Sequence, residues 1–143
     1  MSGTNGKTFV DTNILIYAYD VDAGAKHTKA KALLKELWLN RDGLISTQVL
    51  QEFYVNATRK IRMPLPKPVA RAVIADYVPW CVEATTPVDI TSAFALEDTA
   101  HISFWDALII AVAARSGATR IVSEDLNHGQ AIGGVTIENP FAA

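Results

Sequence analysis

Residues 101–117 read HISFWDALIIAVAARSG. Between Ile102 and Ala114 the run is almost wholly apolar, with one acid, Asp106, inside it. Arg115 then falls in a last helical turn and Gly117 takes the position after a helix end that favours glycine. The stretch is therefore a helix that belongs inside the molecule, and a carboxylate there costs free energy unless something pairs with it. One account is a capping box, with Ser103 as N-cap and Asp106 three residues on, holding the first backbone N–H groups. The other is that Asp106 belongs to a group of carboxylates facing a cation.

The flanks of this helix show the architecture. Behind it, residues 119–122 form a β-prone run that stops at Ser123, Glu124 and Asp125, and a loop, LNHGQAIGG, leads to a last short strand over 135–137. Ahead of it, Thr86, Pro87 and Asp89 make a helix start with proline at N1 and an acid at N3, and that helix runs to near Ala100. Residues 80–84, after Pro79, read as another strand.

Earlier still, residues 7–10 form a first strand that runs straight into Asp11, Thr12 and Asn13, and a short helix follows over 14–19. A helix over 26–40 carries Ala30, Leu33, Leu34, Leu37 and Trp38 at helical spacing, with Lys26, Lys29, Lys31 and Lys35 as its solvated face. Residues 44–46 form a short strand, and Thr47 opens a helix, TQVLQEFYVNATRKI, with Glu52 in its second turn. Pro64, Pro66 and Pro68 break the chain before a helix ending near Tyr77. Strands and helices alternate throughout, which predicts a three-layer α/β/α fold with a mainly parallel sheet covered on both faces.

At 143 residues, half of them hydrophobic and 20% charged, the chain has the length and core of one domain. We expect residues 1–6 to be a disordered tail and residues 7–143 the folded domain. The single cysteine, Cys81, excludes an internal disulfide or a cysteine metal cluster and suits a reducing cytoplasm. The opening MSGTNGK lacks the pattern of a signal peptide, and no apolar run has the length of a membrane span. The net charge of −2 excludes a bulk polycation but not a local basic face. Such a face is present: Arg59, Lys60, Arg62, Lys67 and Arg71 fall in a stretch without an acid between Glu52 and Asp76. It is either a solvated surface or a binding face for nucleic-acid phosphates.

Strand ends in this fold class place ligands at the carboxyl edge of the sheet. Asp11, Glu124 with Asp125, Glu52 one helix turn beyond a strand, and Asp106 could gather there. Each also has an ordinary reading as a cap or a solvent-facing helix acid. Gathered carboxylates repel one another and call for a cation, and hard ions such as Mg²⁺ or Mn²⁺ choose oxygen ligands. His27, His101 and His128 show no zinc spacing, and no glycine-rich phosphate loop is present. Such ions activate water and stabilise charge on a phosphoryl oxygen, so the reaction class is phosphodiester hydrolysis.

Four pieces in order, FVDTNILIYA over 9–18, ISTQVLQEFY over 45–54, SFWDALIIAVA over 103–113 and VSEDLNHGQ over 122–130, resemble PIN-domain ribonucleases, and more closely the VapC-type toxins of toxin–antitoxin pairs. The resemblance implies a PIN-like fold and an endoribonuclease with Asp11, Glu52, Asp106 and Asp125 as its acids, of which Asp11, Asp106 and Asp125 hold Mg²⁺ or Mn²⁺. It implies that Thr12, Asn13 and Ser123 support them. The family's pattern, a hydroxyl residue followed by any residue and then Asp, selects Asp125 over Glu124, since neighbours on an extended strand end point opposite ways. It also implies an RNA substrate, a homodimer and a small antitoxin whose tail lies in the groove. A PIN-like module that binds nucleic acid or protein without cleaving, and a metal-dependent phosphatase, are the alternatives.

Overall fold

The structure, a computed structural model, describes residues 6–142; of the expected disordered tail, residues 1–5 lie outside the described residues. In chain order the elements are β1 (Lys7–Val10), α1 (Thr12–Tyr19), α2 (Ala25–Asn40), β2 (Gly43–Leu44), α3 (Thr47–Arg59), α4 (Lys67–Tyr77), α5 (Pro87–Ala100), α6 (Phe104–Arg115), β3 (Ala118–Val122), β4 (Ala131–Ile132) and β5 (Val135–Glu138). Short polar side chains start four of the helices. Asp11 accepts from Thr12 N, Ser46 from Val49 N and Ser103 from Asp106 N, and Thr86 forms a complete capping box with Asp89.

The strands form one sheet in the order β2-β1-β3-β5-β4. All pairs are parallel except β4 with β5, which are antiparallel. With helices flanking a mainly parallel sheet, the architecture is the α/β fold expected from the alternation of elements.

Two local expectations fail. Residues 80–84 do not form a strand. Val78–Trp80 is a single 3-10 turn around Pro79, and only the bridge between Ile45 and Cys81 reaches the sheet. The carbonyls of Glu83 and Ala84 instead accept from Arg115 Nη2, at 3.2 and 3.3 Å. Conversely, β4 lies in what reads as loop. Gly133 and Gly134, both at positive φ (60° and 83°), make the tight turn that pairs it with β5.

The all-round apolar character of α6 has a direct cause. Ile110 and Ala113 face the main core, while Ala107, Leu108, Ala111 and Val112 face a second cluster with Ala93 of α5. At the far edge, Trp80 packs at a tilt on Trp38 (centroids 4.8 Å apart) and edge to face on Tyr77 (4.9 Å). Its ring also lies on the backbone of Gly43, where a Cβ would come within 2.4 Å of it.

One ion pair joins α5 to the end of α6. Asp89, only 2% exposed, accepts from Arg115 Nε at 2.7 Å. Arg115 holds the Asp89 carboxyl below the usual aspartate range, against burial and with help from Thr86. A depressed acid stabilises the fold above its unfolded pKa of about 4, and that stabilisation is lost as pH falls through the folded value. Arg115→Met is expected to cost about 2–4 kcal/mol at pH 7, because it leaves a buried carboxylate unpaired. It should also flatten the acid limb of stability below about pH 4. Urea unfolding from pH 3 to 7 measures both, and an unchanged midpoint at pH 7 would show the pair to be unimportant.

Candidate functional site

The site is built on the parallel pairing of β1 with β3, in which Val10 lies opposite Val122. Asp11 N donates to Val122 O at 3.0 Å, so Asp11 and Ser123 leave the sheet side by side at its carboxyl edge. The side chain of Asp11 caps α1 through Thr12 N at 2.8 Å and accepts from Ser123 Oγ at 2.8 Å. Ser123, fully buried, also accepts from Asp125 N at 3.1 Å. Asn13 Nδ2 donates to Asp125 Oδ2 at 3.0 Å. Thr12 Oγ1 donates to Glu52 Oε2 at 2.9 Å, which ties α3 to α1 across the same edge.

Asp11, Glu52 and Asp125 are thus linked through Ser123, Thr12 and Asn13. Burial raises the pKa of Asp11 above the usual aspartate value. The Ser123 and Thr12 hydrogen bonds act against this, and the charges of Asp125 and Glu52 add to the rise. A desolvated carboxyl pressed by two further acids is an arrangement that a cation would relieve. The donors are all oxygens, the set that hard divalent ions choose. As arranged, no three His, Cys, Asp or Glu side chains among the described residues form a ready cage for an ion.

Asp106 stands in the first turn of α6. Its backbone N–H is capped by Ser103 Oγ at 3.1 Å. The reciprocal bond that would complete a capping box, present at Thr86 and Asp89, is not made here. The Asp106 carboxylate has no hydrogen bond or ion pair among the described residues, and none joins it to the other three acids.

Glu124 turns elsewhere. It accepts from Tyr17 Oη at 2.6 Å and forms an ion pair with Lys26. Lys26, expected on a solvated face, is therefore engaged, because the first turn of α2 packs beside α1 where Tyr17 projects. Gln48 Nε2 donates to Glu52 Oε1 at 3.1 Å, an interaction that the i,i+4 spacing in α3 could have signalled. Arg59, Lys60, Arg62, Lys67 and Arg71 belong to the surface between the end of α3 and α4. Arg62 lies 4.0 Å from Asp22, and the Arg71 guanidinium sits 5.9 Å from the centroid of the Tyr54 ring.

The profile of the PIN domain family matches residues 8–131. Among solved structures, the chain is similar to VapC20 of Mycobacterium tuberculosis, described as a sarcin-ricin loop cleaving toxin. The TM-score is 0.57 and the identity 26%, over 80% of this chain and 87% of that one. It is also similar to a chain of VapBC2 from Rickettsia felis, solved bound to a DNA fragment from its promoter. There the TM-score is 0.54 and the identity 15%, over 92% of this chain and 97% of that one, so the likeness is one of fold. No curated protein matches the chain. With the family profile covering most of its length and solved toxin structures sharing its architecture, the chain belongs to the PIN domain family.

Proposed function

We propose that residues 7–143 form a VapC-type toxin, a Mg²⁺- or Mn²⁺-dependent endoribonuclease acting in the cytoplasm and restrained by a small antitoxin. The observation that carries this reading is the convergence of Asp11, Glu52 and Asp125, from three parts of the chain, around a desolvated Asp11 that has acids for neighbours. The likeness to VapC20, a sarcin-ricin loop cleaving toxin, and to VapBC2 supports the substrate class and the antitoxin. In this reading Asp11, Asp106 and Asp125 hold the ion, with Glu52 beside them. A bound divalent ion supplies activation of water and stabilisation of charge on a phosphoryl oxygen. Ser123 and Asn13 orient the carboxylates of Asp11 and Asp125, and Thr12 with Gln48 holds Glu52. Ile90 and Phe94 of α5 and Trp105 of α6 are exposed apolar side chains, with Phe94 and Trp105 both packed on Phe104, which supports a homodimer through that face.

A catalytically silent binding module is the second reading. The observation that favours it is that Asp106 stands without a link to the other acids. Cleavage of structured RNA with and without Mg²⁺ separates the two, with a phosphate monoester as control against a phosphatase. Asp106→Asn keeps the backbone cap, so its stability cost is at most ~1 kcal/mol, and we expect a folded protein with cleavage largely abolished. Normal cleavage by that variant would remove Asp106 from the site.

The raised pKa of Asp11 makes a separate prediction. A folded state that holds a proton more tightly than the unfolded one loses stability as pH rises through the folded pKa. Asp11→Asn keeps the acceptor that caps α1 and removes the charge. In ion-free buffer at pH 7 its melting temperature should equal or exceed that of the parent. Mn²⁺ should then raise the parent's melting temperature but not the variant's, since only a bound ligand stabilises by mass action. A parent that gains nothing from either ion would contradict the cation site.

The basic stretch of α3 and α4 is assigned to RNA phosphates. Replacing Arg59, Arg62 and Lys67 by alanine should weaken RNA binding and leave Mn²⁺ binding intact. Each phosphate that is no longer neutralised should reduce the slope of log affinity against log salt by about 0.7. Equally tight binding with an unchanged slope would return the stretch to a solvated or protein-facing surface.

A further inference from the structure

Two adjacent acids, Glu124 and Asp125, stand in the bend just beyond β3 and Ser123, and they take different partners: Asp125 meets Asn13 beside Asp11, while Glu124 meets Tyr17 and Lys26. We propose that Lys26 and Tyr17 set this division, by drawing Glu124 away from the acid cluster, and that Glu124 is thereby a positioning residue that holds Asp125 at the site. The proposal rests on the reading of that cluster as a cation site.

The geometry supports it from both sides of the turn. Asn13 and Tyr17 stand four residues apart on α1 and so project from the same face. Asn13 takes the inner acid, donating to Asp125 Oδ2 at 3.0 Å and accepting from Glu124 N at 3.2 Å. One turn along, Tyr17 Oη takes Glu124 Oε1 at 2.6 Å, and Lys26 Nζ takes the other oxygen. Lys26 is itself held, with its ammonium 5.1 Å from the Tyr17 ring centroid and 5.7 Å from that of Phe141. Those two rings meet edge to face at 5.4 Å, and Asn139 Oδ1 anchors the Phe141 backbone N–H at 2.9 Å. The segment beyond β5 therefore packs against one side of the pair.

Electrostatics give the arrangement its direction. A second carboxylate swung toward Asp11 would add to the repulsion already acting on that group. On its own side Glu124 meets the Lys26 ammonium and the Tyr17 hydroxyl, so the nearest positive charge draws it away from Asp11 and Asp125. Without Lys26, the two acids compete for one place, and the bonds that Asn13 and Ser123 make to the 123–125 turn lose their counterweight.

Glu124→Gln and Lys26→Met remove the charge pair, and the methionine keeps an apolar stem against Tyr17 and Phe141. Two measurements are made on the full chain. The first is hydrogen exchange of the Glu124 and Asp125 amides by NMR in ion-free buffer. The second is Mn²⁺ affinity by calorimetry. We expect those two amides to exchange roughly tenfold faster while the amides of β1 and β3 are unchanged. Mn²⁺ affinity should fall by about 10–100-fold, the usual effect of losing a group that orients a ligand. The charge-swapped pair Lys26→Glu with Glu124→Lys should recover much of that loss. Should a variant lose global protection, Tyr17→Phe keeps the ring and removes only the hydroxyl, and the same amides are read. Unchanged exchange at 124 and 125, or unchanged Mn²⁺ affinity in a parent that binds the ion, overturns the proposal. A parent that binds no Mn²⁺ defeats the cation reading instead, and the amide exchange then decides the positioning role by itself.

Discussion

The parallel register between β1 and β3 is the constraint on which the site depends. It sets Val10 against Val122, and so places Asp11 against Ser123, which is shut off from water. The Ser123 hydroxyl donates to the Asp11 carboxylate and accepts from Asp125 N, so it joins both strand ends in one exchange of hydrogen bonds. A slip of one residue would leave a buried hydroxyl and a desolvated carboxyl without partners, at a cost of about 1–3 kcal/mol for each group. A parallel pair also cannot be closed by a hairpin. The chain between β1 and β3 must travel through helices, and this brings α3, with Glu52, to the same edge of the sheet.

The treatment of acids differs between the site and the rest of the molecule. Asp89 is matched by Arg115, Glu124 by Lys26 and Glu138 by Arg120. For Asp89 and Glu124 the result is a carboxyl below its usual pKa. Asp11 is surrounded instead by a hydroxyl, a backbone N–H and the charges of two further acids, and its pKa moves the other way. Burial is the largest influence on Asp11, whose neighbouring charges are acids, whereas Arg115 with Thr86 and Lys26 with Tyr17 outweigh burial at Asp89 and Glu124. This contrast between matched acids and Asp11 is what supports the proposed reading of the β1–β3 edge as a cation site.

Packing fixes the helix that borders that edge. α6 lies between the main core and α5, and it is buried on both sides. Its first turn, with Asp106, is held by the Ser103 cap, and its last turn is held by the Arg115 pair. The same guanidinium takes the carbonyls of Glu83 and Ala84, so it stabilises a segment that has only one bridge to the sheet.

Much of this was determined by sequence alone, because its causes are local. The caps at Asp11, Thr86 and Ser103, the proline break before α4 and the mostly apolar α6 are written in neighbouring residues, whereas Ser46, read as the end of a strand, proves to be the cap of α3. The alternation they mark out leads to a mainly parallel sheet. The Gly133–Gly134 turn was also present as a signal, but a two-residue strand such as β4 has too short a pattern to be recognised without its partner β5. Residues 80–84 had strand composition, yet the tertiary structure gave the Glu83 and Ala84 carbonyls to Arg115 instead of to a ladder. At the site, the candidate acids could be named from their positions at strand ends and helix starts. Which of them meet depended on pairs of residues far apart in the chain: Thr12 with Glu52, Asn13 with Asp125, and Lys26 with Glu124. Such pairs leave no periodic trace, because a side-chain hydrogen bond needs two groups within about 3 Å and only the packed fold sets that distance.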